Sequence, residues 1–182
     1  LGRIRTTREV CIMLSTWSDE KQEKEVRTMS HKILIMGLPG SGKTWLGEKL
    51  GKHFGIPYWD ADNVRTIYTD FGDFSLNGRE RQALRIRKLA EIDPISISGF
   101  VCPLPGLRRH FWPDKIIWMD TIEEGRYEDT NKLFQPPEKF DLRITKWIDK
   151  DLLFKCLDDI SLGTKDIQKF SNDLMQKLDK LS

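Results

Sequence analysis

Short continuous apolar runs alternate with amphipathic stretches from residue 32 to the end of the chain. Residues 32–36 form such a run, the pattern of a strand buried on both faces. Over 44–54, Trp45, Leu46, Leu50 and Phe54 fall on one helical stripe, and Gly55 stops it. Residues 56–60 predict a second short strand. An arginine-rich helix follows over 79–92, with Leu84, Leu89 and Ile92 among its apolar positions. The pattern then predicts a third strand over 94–101 ending near Pro103, a short helical piece over 107–111 and a fourth strand over 115–120. Residues 121–127 read as helix, 135–137 as a loop and 142–145 as a fifth strand. The end is helical over 151–160 and 165–181, interrupted by Gly163. Strand–helix alternation of this kind predicts the α/β class: parallel strands joined by right-handed crossovers, an open sheet of about five strands with helices on both faces. The C-terminal helices carry Leu152, Leu153, Phe154, Leu157, Ile160, Leu174, Met175 and Leu178. They read as a packing layer that also offers a homodimer surface.

The first 28 residues lack this alternation. Residues 19–27 are a charged stretch suited to a lone solvated helix. Met29 is followed closely by a basic residue and an apolar strand, so the expected organisation is an N-terminal extension over 1–28 and one working domain over 29–182. A packed N-terminal helix is the alternative. The composition fits one domain with a real core: 182 residues, 38% hydrophobic, mean hydropathy −0.49. Thirty basic residues against 28 acidic ones leave a net charge of +2, which gives no support to coating a polyanion such as a nucleic acid. Cys11, Cys102 and Cys156 are too scattered for a disulfide framework or a zinc site, which favours a reducing, cytoplasmic setting. No apolar run reaches the ~18 residues of a membrane span, and no cleavable leader is read at the N-terminus.

The chemistry enters at Gly37-Leu38-Pro39-Gly40-Ser41-Gly42-Lys43-Thr44, which fits G-x-x-x-x-G-K-[ST] between a strand and a helix. The glycines let amide N–H groups turn inward around an anion, and the next helix adds its N-terminal dipole. Lys43 reaches the β/γ-phosphates, and Thr44 offers a hydroxyl to Mg²⁺. ATP and Mg²⁺ are therefore the expected cofactors. Base-reading elements of G proteins are missing, which favours small kinases over GTPases and ATPase motors.

Asp60-Ala61-Asp62-Asn63-Val64-Arg65 follows the second strand, at the sheet edge where open α/β proteins bind ligands. Asp60 and Asp62 could hold Mg²⁺ and accept the proton of an acceptor hydroxyl. Arg65 could clamp an anion. The structural alternative is a helix N-cap, with Asp62 capping a short helix that contains Val64 and Arg65.

Here the chain resembles the adenylylsulfate kinase family of P-loop kinases. The resemblance lies in the Gly37–Thr44 loop, the D-A-D-N-V-R element, Phe74-Ser75 and the arginine-rich helix ending Arg87-Lys88-Leu89-Ala90-Glu91. Gly99-Phe100-Val101-Cys102-Pro103 adds to it. It implies a P-loop kinase fold and transfer of the ATP γ-phosphoryl to the 3′-hydroxyl of adenylylsulfate. By the same resemblance, Asp60 and Asp62 sit near Mg²⁺ and the acceptor hydroxyl, and Arg65 contacts the acceptor. Phe74 stacks on the acceptor's adenine, and Arg81 and Arg85 hold its anionic groups. Arg126 serves the nucleotide from the base of a lid, and Lys132 with Phe134 falls in the lid. That lid is shorter than is usual in the family, and Ala61 and Cys102 replace family residues. A kinase for another acceptor (a nucleoside, a nucleotide, a polynucleotide end or an antibiotic) and a nucleotide-binding module with little turnover stay open. Cys102 reads as a structural cysteine, His110 as a surface or packing residue, and Arg108 with Arg109 as a solvated face or a basic rim. Trp112, Trp118 and Trp147 read as core or substrate-wall residues.

Overall fold

The computed structural model describes residues 30–157 and 167–181. The expectations for residues 1–28 and for the joint between the last two helices lie outside the described residues. The elements run β1 (His31–Met36), α1 (Lys43–Phe54), β2 (Tyr58–Asp60), α2 (Ala61–Arg65), α3 (Leu76–Ala90) and β3 (Ile95–Gly99). They continue with α4 (Pro105–Phe111), β4 (Lys115–Met119), α5 (Glu128–Leu133), β5 (Leu142–Ile144), α6 (Lys150–Leu157) and α7 (Ile167–Asp179). The five strands form one all-parallel sheet in the order β2-β3-β1-β4-β5.

Strand β1 explains the architecture. Its side chains alternate between two apolar layers, as strand geometry demands. Ile33 and Ile35 join a core with Leu46 and Leu50 of α1, Ile117 of β4 and Phe170, Leu174 and Leu178 of α7. Leu34 and Met36 face the other layer, with Val64 of α2, Ile86 and Leu89 of α3 and Phe111 of α4. A strand covered on both sides needs apolar residues at every position, and 33–36 are fully buried. The expected fold class, an open parallel sheet with helices on both faces, is borne out. Among the described residues no helix is long and apolar enough to cross a membrane.

Four expectations are corrected. Residues 121–127 are not helical; the helix begins at Glu128. Gly125 is the reason, because it packs against Pro39 and is held at both its N–H and its carbonyl by the Asn131 amide. Helix α3 starts at Leu76 rather than at residue 79, since Ser75 caps it by accepting from the Gly78 N–H at 3.2 Å. Leu84 lies off its buried stripe and is 40% exposed. Arg108 is neither on a solvated face nor on a rim: it is buried and donates to the carbonyls of Cys102 and Gln135 at 3.0 and 3.1 Å.

Candidate active site

The loop between β1 and α1 leaves the carboxyl end of the sheet's central strand. Gly40 and Gly42 take φ of 97° and 95°, a left-handed region that side chains resist. Gly42 is also the N-cap of α1, and no side chain caps this helix. Its first N–H groups and its dipole therefore suit an anion held in the loop. The Trp147 ring lies over Gly42, 2.6 Å from where a Cβ would stand. Ser41 Oγ is buried without a partner, a polar atom inside the cradle. Lys43 Nζ donates to the Leu38 carbonyl at 2.7 Å, folding its chain back over the loop. Burial pushes its pKa down to about 8, against the opposing charges of Asp62 and Asp60. A phosphate beside it would favour the charged form and raise the pKa again.

Thr44 Oγ1 donates to Asp60 Oδ2 at 2.8 Å, and the Tyr58 hydroxyl donates to the same oxygen at 3.2 Å. The other carboxylate oxygen, Oδ1, accepts the Asp62 and Asn63 N–H groups at 2.9 and 3.2 Å. Asp60 is therefore the N-cap of α2, so the capping alternative holds with Asp60, not Asp62, as the cap. One carboxylate ties the phosphate loop to the start of α2, and this leaves Asp62 exposed in the first turn with its side chain available for chemistry.

Asp62 lines a cavity of about 50 Å³ together with Arg65, Phe74, Arg79, Gln82, Phe100 and Cys102. Arg65 is buried, and its Nη1 donates to the Asp73 carbonyl at 2.8 Å. Its guanidinium lies over the Phe74 ring at 4.6 Å. Burial lowers its pKa, with the Asp62 charge opposing. Arg79 is equally buried, donates to the Phe74 carbonyl at 2.9 Å and to Thr130 Oγ1 at 3.3 Å, and approaches the same ring. Two cations and one carboxylate thus face one small cavity beside the phosphate loop.

The structure brings together Gly37 to Thr44, Asp60, Asp62, Arg65 and Phe74. Arg126 also reaches the loop, its Nε 3.7 Å from where a Cβ on Gly40 would stand. Arg81 and Arg85 are not in the cavity. Arg81 pairs with Asp70 at 3.0 Å and with Asp73 at 2.5 Å, and Arg85 pairs with Asp70 at 2.8 Å. Both lie outside the buried stripe of α3, on the side that clasps the 66–75 segment. Lys132 points to solvent and pairs with Glu128 one turn earlier.

The residues missed are Arg79 and Gln82. The signal was Ser75: a serine N-cap sets the helix start at Leu76, and from there Arg79, Gln82 and Ile86 recur on one face at helical spacing. Cys102 is buried with a free thiol raised well above its usual pKa by burial, which fits a structural role.

No family model matches the chain. The shikimate kinase of Mycobacterium avium is 24% identical over 101 residues, covering 50% of this chain. That match spans 57% of the relative, so the chain covers little more than half the length of the curated protein it resembles. Among solved structures, the APS kinase CysC of Mycobacterium tuberculosis in complex with AMPPNP and APS is similar at TM-score 0.49 and 20% identity. The alignment covers 64% of this chain and 88% of that one. A gluconokinase from Sinorhizobium meliloti is similar at TM-score 0.48 and 13% identity, covering 84% of this chain and 95% of that one.

Proposed function

We propose that the chain is an ATP-dependent kinase that transfers the γ-phosphoryl group of Mg-ATP to a hydroxyl of a small anionic acceptor. The observation that carries this reading is the placement of Asp62. It lines the arginine-walled cavity, and its charge acts on Lys43 of the phosphate loop. A carboxylate between a phosphate cradle and an anion pocket suits a group that accepts the acceptor hydroxyl's proton. The loop amides, Lys43 and Arg126 would hold the triphosphate, and Arg65 and Arg79 the acceptor's anion. Thr44 and Asp60 present oxygens 2.8 Å apart, hard donors that suit Mg²⁺. Bound there, Mg-ATP supplies the transferable group and neutralises charge upon it.

Two acceptor classes follow from different observations. The resemblance through D-A-D-N-V-R and Phe74-Ser75 supports adenylylsulfate, phosphorylated at its 3′-hydroxyl. The small cavity supports a compact hydroxy acid, in line with the shikimate kinase relatives. A coupled ADP-release assay against adenylylsulfate, shikimate, gluconate and a nucleoside tests the reading. Turnover of an anionic alcohol is expected, with Asp62→Asn lowering kcat by about two orders of magnitude or more while ATP binding is kept. ATP binding without turnover of any acceptor would overturn it in favour of a nucleotide-binding module.

A further inference from the structure

Two glycines on different elements leave room for one side chain. A Cβ on Gly47 of α1 would stand 2.1 Å from the Tyr58 ring, and a Cβ on Gly99, at the end of β3, would stand 2.2 Å from the Tyr58 hydroxyl. Neither glycine has a positive φ to account for it. Glycine inside a helix is destabilising relative to alanine, so Gly47 carries a cost that the backbone does not require. What the two supply is a slot for Tyr58. The slot aims the hydroxyl at Asp60, where it donates to Oδ2 at 3.2 Å beside the Thr44 hydroxyl, which donates to the same oxygen at 2.8 Å. Oδ1 accepts the Asp62 and Asn63 N–H groups. A carboxylate has about four lone-pair sites, and four donors meet this one. Thr44 Oγ1, with its hydrogen committed to Asp60, has only lone pairs left to offer, which is what a hard cation takes.

We propose that Tyr58 is a positioning residue for the Mg²⁺ that accompanies the nucleotide: its hydroxyl, fixed by the glycine slot, holds the Asp60 carboxylate on the Thr44 hydroxyl, so that the Thr44 oxygen is presented as a lone-pair donor. This rests on the kinase reading above and adds to it a residue outside the phosphate loop and the acceptor cavity. Asp60 then serves the cation by orienting Thr44. Without the Tyr58 hydroxyl, Oδ2 has one donor fewer, the carboxylate is less firmly held, and the Thr44 hydrogen loses its fixed direction. Groups that orient a metal ligand in this way cost about ten- to a hundredfold in metal affinity when they are lost.

The test is calorimetric binding of ADP to the whole chain, titrated with Mg²⁺ and repeated with the metal chelated. Tyr58→Phe keeps the ring in its slot and removes only the hydroxyl. Wild type is expected to bind ADP more tightly with Mg²⁺. In Tyr58→Phe the Mg²⁺ concentration that gives half of this gain should rise about tenfold or more, with metal-free ADP affinity kept within about twofold. Gly99→Ala, which crowds the hydroxyl, should raise the midpoint in the same way and add little once Tyr58 is already phenylalanine. An unchanged midpoint in Tyr58→Phe, an equal loss of ADP affinity with and without metal, or a Gly99→Ala effect that adds fully to that of Tyr58→Phe would overturn the inference. The Tyr58→Phe comparison does not depend on Gly99→Ala folding. ADP binding by wild type that ignores Mg²⁺ would overturn the inference together with the kinase reading. A midpoint that depends on Tyr58, without phosphoryl transfer to any acceptor, would instead sink the kinase reading and leave the role of Tyr58 intact.

Discussion

Lys43 should make the free protein less stable than it could be. Its ammonium is folded back over the phosphate loop onto the Leu38 carbonyl, and burial depresses its pKa from 10.5 to about 8. The sign follows from linkage. A lysine whose folded pKa lies below its unfolded value carries its penalty at low pH. The penalty fades as pH rises through 8 toward 10.5, where the unfolded chain also loses the proton. A depression of that size is worth about 3 kcal/mol at most. Between pH 7 and pH 10 about 2.5 kcal/mol of it would be relieved. The side chain is only partly shielded from water, so roughly half of that, about 1 kcal/mol, is the expected effect. Lys43→Met supplies the reference in which every other titration cancels. Wild-type stability relative to Lys43→Met should rise by about 1 kcal/mol across that range, read as about 2–4 °C in Tm for a chain of this size. Saturating Mg-ATP at neutral pH should stabilise wild type and leave the variant unmoved. A stability difference that stays flat with pH, or falls, refutes the claim that this lysine is held in a desolvated state for its ligand.

Arg79→Ala should raise the acceptor KM more than tenfold with ATP affinity unchanged. Arg81→Ala, which breaks only the two half-exposed pairs with Asp70 and Asp73, should leave both within about threefold; steady-state kinetics separates the two. Asp70 is held down to about 2 by bonds from Arg85 and Arg81, so its contribution is complete above pH 3.8 and lost as pH falls through about 2. Acid titration of Asp70→Asn against wild type should show a constant stability difference from pH 7 to pH 5 that closes below about pH 4. Burial keeps the Cys102 thiol protonated, so peptide mapping after iodoacetamide should find it modified only once the chain is unfolded in denaturant.

The sheet and the phosphate loop were legible in the sequence because each rests on local pattern. The apolar run at 33–36 fits a strand covered on both faces, and the glycine spacing before Lys43 fits an anion cradle whatever surrounds it. The acceptor wall was legible only in part, because it depends on which face of α3 turns inward. Placing the helix start at residue 79 instead of Leu76 hid the face that carries Arg79 and Gln82. It drew attention to Arg81 and Arg85, which are spent on Asp70 and Asp73. The helix cap passed from Asp62 to Asp60 for a similar reason. Two aspartates two residues apart cannot be told apart by type, and only the Asp62 and Asn63 N–H groups that Asp60 accepts show which one is the cap.

The short segment after β4 takes a different meaning once its contacts are counted as bonds rather than as length. Asn131 clamps Gly125 through two hydrogen bonds of 2.9 and 3.1 Å, and Gly125 packs on Pro39 beside Arg126, which reaches Gly40. The residue before Asn131 is Thr130, whose hydroxyl accepts from Arg79 at 3.3 Å, and Asp129 lies 3.9 Å from the same guanidinium. Three consecutive residues of this six-residue helix therefore link it to the anion pocket directly through Arg79 and to the phosphate loop through Gly125. An element bonded to both subsites does not need a long excursion to bring them into register, because the helix is rigid over so short a span. Asn131→Leu, which keeps the volume and removes both bonds, should release Gly125 and Arg126 without touching Arg79. The expected signature is a fall in kcat and in ATP affinity with acceptor binding kept. Equal losses on both sides would mean that α5 acts as packing alone.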